Sequence, residues 1–164
     1  MEKLTPKTAE RFAREIFGKF KDKEEKEFRL VHPVLVSETA LILAKKINQK
    51  VDLDVLRIAA WVHDVGYSIE SKNHAEHSLA ILEKKFEIDK VLRDCVLNHG
   101  SEAKPTTLEG RIIQLADKAF ILDKELLKLI LKSSKEKIDP EYIDFIKKMS
   151  VKLADLLDRF DFVN

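Results

Sequence analysis

Cysteine is nearly missing from this chain. Cys95 stands alone among 164 residues, which excludes an internal disulfide framework and a zinc ribbon. Turn formers are scarce as well: four glycines and four prolines leave little material for a turn-rich β fold. Neither sign of charge is in excess, since 30 Lys and Arg face 29 Asp and Glu for a formal net charge of +1. That balance supplies no electrostatic case for general nucleic-acid or membrane-surface binding. No apolar run approaches the roughly 20 residues that span a bilayer. The opening MEKLTPKTAERFAREIF lacks the apolar stretch of a secretory signal, so the expectation is a cytoplasmic protein. The chain also has no G-x-x-x-x-G-K-[ST] phosphate loop, no G-x-G-x-x-G and no H-E-x-x-H.

What is present is 45% hydrophobic and 36% charged, which suffices for a core beneath a solvated surface. The length is that of one domain, and no repeat, low-complexity segment or break divides residues 1–164. The apolar spacing is helical throughout and predicts an all-α, compact single-domain bundle of about six to seven helices. Thr8 to Phe20 forms the first, with KDKEEKEFR as its end and a solvated connection. His32 to Ile47 forms the second, with Pro33 in its first turn, where proline is tolerated. Asp54 to Val65 is apolar on most sides and is therefore the buried central helix, with Gly66 as its stop. His74 to Phe86 and Asp89 to His99 follow, the latter capped by Asp89. A capping box at Thr106 and Glu109 opens the sixth, and Asp139 with Pro140 opens an amphipathic C-terminal helix over about 139–160.

Four features sit badly in a plain bundle. His63 and Asp64 end the most apolar helix. Asp117 interrupts the apolar run RIIQLADKAFIL. His99 extends the inward face of the fifth helix, and all five histidines fall between positions 32 and 99. Each alone has an ordinary explanation: a core histidine is usually hydrogen-bonded, and a buried aspartate is often paired with an arginine, for which Arg57, Arg93 and Arg111 are available. Together, several imidazoles and two carboxylates on inward helix faces are the donor types that suit Mn, Fe, Co, Ni or Zn.

The order His32, then His63-Asp64, then Asp117 resembles the H…HD…D signature of the HD-domain metal-dependent phosphohydrolase superfamily. HPVLVSETALILA, AAWVHDVGY and QLADKAFILD are similar to its local segments, as are NHAEHSLAIL and VLNHG in members that hold two metals. The resemblance covers about residues 29–123. It implies that His32, His63, Asp64 and Asp117 hold one divalent transition-metal ion, and that Asp64, His74 and His99 hold a second, giving two per chain. His74 and His77 compete for one place. At about 100° per helical residue, His74 flanks the stripe of Ala75, Leu79, Leu82 and Phe86, whereas His77 points away from it. His74 is the expected ligand.

The resemblance further implies hydrolysis of a phosphate ester, of a nucleotide or a small phosphorylated metabolite, by a hydroxide bridging the two ions, with Asp64 and His63 as the catalytic pair. No activated nucleophile of the protein is needed, and Cys95 reads as a small core residue. Arg29, Lys72 and Lys118 are candidates to receive phosphate oxygens. Tyr67 stands where the family often has lysine, which argues against the cyclic-dinucleotide phosphodiesterase branch and leaves the general acid open. The alternatives are a mononuclear nucleotidase-like protein using His32, His63, Asp64 and Asp117, a metal-containing ligand-binding or scaffold module without turnover, and an oxidative di-iron branch. The amphipathic C-terminal helix either caps its own core or forms a homodimer.

Overall fold

A computed structural model describes residues 1–47, 49–122 and 140–159. Among these residues the fold is all-α apart from two strands of two residues each, β1 (Glu2–Lys3) and β2 (Phe86–Glu87), which pair in parallel. The helices are α1 (Pro6–Phe17), α2 (Lys23–Lys46), α3 (Leu53–Val62), α4 (His74–Glu83), α5 (Lys90–Leu97), α6 (Leu108–Lys118) and α7 (Pro140–Arg159). Short 3-10 turns follow α3, at Val65–Ser68, and α6, at Ala119–Leu122. None of the described helices is long and apolar enough to cross a membrane.

The apolar α3 is the axis of the bundle, as its composition predicts. Leu56, Ile58, Ala59, Ala60, Trp61 and Val62 are all buried, and the helix packs against α1, α2, α5 and α6. Phe17, Leu82, Ile112 and Ile113 close the core around it. α7 lies on α6, where Leu153 and Leu156 meet Leu115. The expected Asp139 cap and Phe160 fall outside the described residues, as do the side chains of Tyr142, Phe145 and Ile146.

Several boundaries differ from those the sequence predicts; α1 and α3, for instance, end at Phe17 and Val62, three residues early. The charged KDKEEKEFR is helix from Lys23 onward, because Asp22 caps it by accepting from the Glu25 N–H (2.7 Å), and Glu24 and Glu25 place acid in its first turn. α2 then runs through Pro33, so His32 sits in mid-helix, and the Arg29 carbonyl loses the N–H that any other residue at 33 would offer it. α4 stops at Glu83, since Phe86 joins β2, and α5 stops at Leu97, so His99 lies just beyond it.

At the start of α6 the cap is Thr107, not Thr106. Thr107 accepts from the Gly110 N–H (3.0 Å), while Glu109 accepts from the Asp52 N–H (3.0 Å). The reason is Asp94, on α5. Its buried carboxylate takes the N–H of Thr106 (3.0 Å), the N–H and hydroxyl of Thr107 (2.8 and 2.6 Å) and the amide of Asn98 (2.7 Å). Asp94→Ala is expected to cost about 3 kcal/mol in urea unfolding, because it strands buried donors. Burial works to raise the Asp94 pKa, but these hydrogen bonds, those from Thr107 foremost, hold it below the usual carboxylate range. Its contribution is therefore present above the unfolded value of about 3.9 and fades as pH falls through the folded one, so the deficit of the variant narrows in acid.

Candidate metal centre

His63 is the residue at which α3 ends. Its backbone is still helical (φ −59°, ψ −31°), and its Nδ1 donates to the carbonyls of Ala60 (3.0 Å) and Ala59 (3.2 Å). Ser78, from α4, ties the next turn in place by donating its hydroxyl to the His63 carbonyl (2.6 Å) and accepting from the Gly66 N–H (2.8 Å). Gly66 is not a helix stop, and its φ is not positive. It is needed for space: a Cβ there would lie 2.0 Å from the His74 carbonyl oxygen and 2.6 Å from the Ser78 nitrogen. The side chain of Asp64 is thereby held between α2, α4 and the end of α5.

Asp64 is the hub of the cluster. Its Oδ1 lies 3.5 Å from His63 Nε2, 3.5 Å from His74 Nε2 and 3.4 Å from His99 Nε2. Its Oδ2 lies 3.7 Å from His32 Nε2 and accepts from Arg29 Nη1 (3.0 Å). Asp117, from α6, stands opposite, with Oδ1 2.9 Å from His32 Nε2 and 3.3 Å from His63 Nε2 and Oδ2 paired with Lys118. His32, His63, Asp64, His99 and Asp117 are buried, and the His74 side chain, 23% exposed, forms the open edge.

The cluster is electrostatically polarised. Burial alone would raise the pKa of both aspartates, yet the charge of His63 and the hydrogen bond of His99 hold Asp64 well below the carboxylate range, and Lys118 and His32 do the same for Asp117. Burial would lower His63, but Asp64 and Asp117 outweigh it and raise its affinity for a proton. At His74 burial prevails and the pKa falls. Lys118 is raised by Asp117 against the effect of burial. Burial, with the charge of Asp64, pushes the Tyr67 phenol up, so it remains neutral.

The donor set fits a metal ion on three observations. First, His63, His74 and His99 each commit Nδ1 to backbone carbonyls, of Ala59 and Ala60, Ser71 and Val96 respectively, which leaves the Nε2 lone pairs facing inward. Second, the buried Nε2 of His63 has no hydrogen-bond partner among the described residues. Third, His74 Nε2 and His99 Nε2 approach to 2.9 Å. Two such lone pairs repel unless they share a cation. Imidazole nitrogens at about 2.0–2.1 Å from one ion, and at right angles, lie about 2.9 Å apart. Two groups could each hold an ion: His32, His63 and Asp117, and His63, Asp64 and His99.

The other residues singled out from the sequence divide clearly. His77 turns to Glu70 (3.0 Å), away from the cluster. Lys72 is exposed, and no contact joins it to the cluster among the described residues. Lys118 is at the site as the partner of Asp117. The arginine at Asp64 is Arg29, whereas Arg57 pairs with Asp54 and Arg93 with Glu83. Ser78, four residues after His74 as in the pattern the chain resembles, is a supporting residue whose bonds to His63 and Gly66 the sequence does not give. Cys95 is buried, and its thiol is pushed far up by burial, as suits a core residue.

Comparison with known proteins gives the same region. The family model described as HD domain matches residues 29–122. Ribonuclease Y of Ureaplasma parvum serovar 3 is 31% identical over 90 residues, which cover 54% of this chain and 19% of the ribonuclease. A deoxyguanosinetriphosphate triphosphohydrolase-like protein of Caldanaerobacter subterraneus subsp. tengcongensis is 25% identical over 118 residues, covering 60% of this chain and 34% of that protein. This chain thus spans about a fifth to a third of the length of these curated relatives. The crystal structure of a predicted HD superfamily hydrolase from an uncultured Thermotogales bacterium shares the fold, with a TM-score of 0.63 at 20% identity over 94% of this chain and 90% of that one.

Proposed function

This chain belongs to the HD-domain family, and from that premise we propose that it is a metal-dependent phosphohydrolase acting on a phosphate ester of a nucleotide or small phosphorylated metabolite. The observation that carries the reading is the position of Asp64, which borders His32 through one oxygen and His63, His74 and His99 through the other. In this reading His32, His63, Asp64 and Asp117 hold one divalent ion, and Asp64, His74 and His99 hold a second. The ions, when bound, supply Lewis acidity, which acidifies water and stabilises the negative charge that develops on a transferring phosphoryl group.

The residues of the chain supply the rest. The Nδ1–carbonyl bonds fix the orientation of the imidazoles, so each Nε2 is presented without the cost of ordering it during the reaction. Arg29 spends one amino group on Asp64 and keeps the rest of its guanidinium fork for a phosphate oxygen. Lys118 balances Asp117, so the site is not over-negative for an anionic substrate. His74, at the open edge, stands where the substrate enters. A nucleotide is the favoured substrate because a triphosphohydrolase-like protein and a ribonuclease are among the relatives.

The test is metal analysis of protein purified without chelator or affinity tag, followed by a phosphatase and phosphodiesterase screen with Mn, Co and Ni. About two equivalents per chain and metal-dependent hydrolysis are expected. One equivalent would replace the binuclear site by a mononuclear one, and none, even after reconstitution, would overturn the reading. His77→Ala is expected to leave metal content and turnover within about twofold, whereas His74→Ala weakens the second ion by at least 10- to 100-fold, the range seen even for supporting residues. Equal losses in the two variants, measured by isothermal titration, would reverse their assignment.

A further inference from the structure

Tyr67 is used by none of the steps above, yet its ring is the most closely contacted aromatic at the site. The Arg29 Cζ lies 3.5 Å from the centre of the Tyr67 ring. The His74 ring lies 4.1 Å from the same centre, inclined by 24°. A phenol ring has two faces, and groups this close to its centre take one each. Tyr67 is therefore the middle layer of a sandwich, with a guanidinium on one side and an imidazole on the other.

The outer layers meet again at Asp64. Arg29 donates to Oδ2 at 3.0 Å, and His74 Nε2 stands 3.5 Å from Oδ1. Carboxylate, guanidinium, phenol and imidazole thus form a closed circuit that links α2, the turn after α3 and α4. The attractions suit the parts. A guanidinium is drawn to the electron-rich face of an aromatic ring, and stacked rings gain from offset contact.

We propose that Tyr67 is a positioning residue, whose ring spaces Arg29 from His74 and so holds the two on separate oxygens of Asp64. Among the described residues, His74 otherwise meets His99 and the Ser71 carbonyl, and Arg29 meets Phe28 at 5.4 Å. His74 opens α4 behind Asn73, which is left-handed (φ 55°) and makes no side-chain cap bond. Its ring is 23% exposed and is otherwise fixed by the Ser71 carbonyl. Arg29 has an alternative in Glu25, 3.8 Å from its Nε, and would lean there without the ring to cover it. With Tyr67 reduced to an aliphatic side chain, His74 would lose its orientation towards His99, and Arg29 would leave Asp64.

The inference rests on the proposed metal reading, and the experiment separates the two. Ring protons of His74, assigned by comparison with His74→Gln, are read by NMR in the metal-free chain, where a stacked phenol shifts them upfield. Mn and Co titrations are then run on the wild type, Tyr67→Phe and Tyr67→Leu. The upfield shift is expected in the wild type and Tyr67→Phe and is expected to vanish in Tyr67→Leu. Tyr67→Leu is expected to weaken the second ion about 10- to 100-fold, as for other residues that orient ligands, and to leave the first within twofold. Tyr67→Phe is expected to match the wild type at both. An unshifted His74 in the wild type, a Tyr67→Leu that binds the second ion normally, or a Tyr67→Phe as impaired as Tyr67→Leu would each overturn the proposal. A wild type that binds no ion would defeat the metal reading alone, and the NMR shift in the metal-free wild type would still decide the sandwich.

Discussion

Asp64→Ala is expected to remove both ions and to lower metal-dependent hydrolysis by about a thousandfold or more, since the charge stabilisation that the ions supply is worth several kcal/mol. No other residue in the cluster touches so many partners. Its two oxygens lie within 3.7 Å of four imidazoles and bond the Arg29 guanidinium at 3.0 Å. Truncation leaves that guanidinium, only 12% exposed, without its carboxylate, so a stability loss of about 3 kcal/mol accompanies the loss of metal. Asp64→Asn keeps the shape and removes the charge, and it separates the two effects. It is expected to fold well enough for metal analysis and still to bind no second ion. Retention of full metal content by either variant would show that the ligands lie elsewhere.

Gly66→Ala is the second large effect, and its cause is steric. The added methyl would stand 2.0 Å from the His74 carbonyl oxygen and 2.6 Å from the Ser78 nitrogen. Both are backbone atoms, which cannot rotate aside. α4 must then move off the turn after α3, which breaks the Ser78 bonds to His63 and Gly66 and draws His74 away from Asp64. Overpacking of this kind costs about 3 kcal/mol. For a domain of this size that corresponds to a fall in melting temperature of about 10 °C. Calorimetry checks the first part. A metal titration below the transition checks the second, with the ion at His32, His63 and Asp117 retained and that at His74 and His99 lost. A melting temperature within about 1 °C of the wild type would refute the steric argument.

How far the sequence alone carries can be judged from single residues. The burial of α3 was visible in its run of apolar residues, and Asp117 stood out because it interrupts the apolar run RIIQLADKAFIL. The periodicity of α4 separated His74 from His77. What local pattern could not show were contacts set by distant chain. Thr107 displaced Thr106 as a cap because Asp94, on another helix, took the N–H groups on both. α2 ran through Pro33 because its buried face, with His32, Val36, Ala40 and Ala44, packs against α3 and α6, contacts that no local pattern shows. Arg29, a candidate for phosphate, also bonds Asp64, 35 residues away, a contact that spacing along the chain does not show. Gly66 is glycine for the space that α4 needs, which no reading of φ preferences would suggest.

The 85 residues that separate His32 from Asp117, whose side chains end 2.9 Å apart, carry a consequence for folding. Closing so long a loop is entropically late, so the two donors meet only when α2, α3 and α6 have docked as a unit. A partly folded chain would have histidines but no pocket to chelate with. An ion that recognises only the finished arrangement draws the folding equilibrium towards it by mass action, adding about 1.4 kcal/mol for each tenfold excess over its dissociation constant. The thermal midpoint of this chain would then be a gauge of free metal, rising with its concentration and saturating at no fixed value.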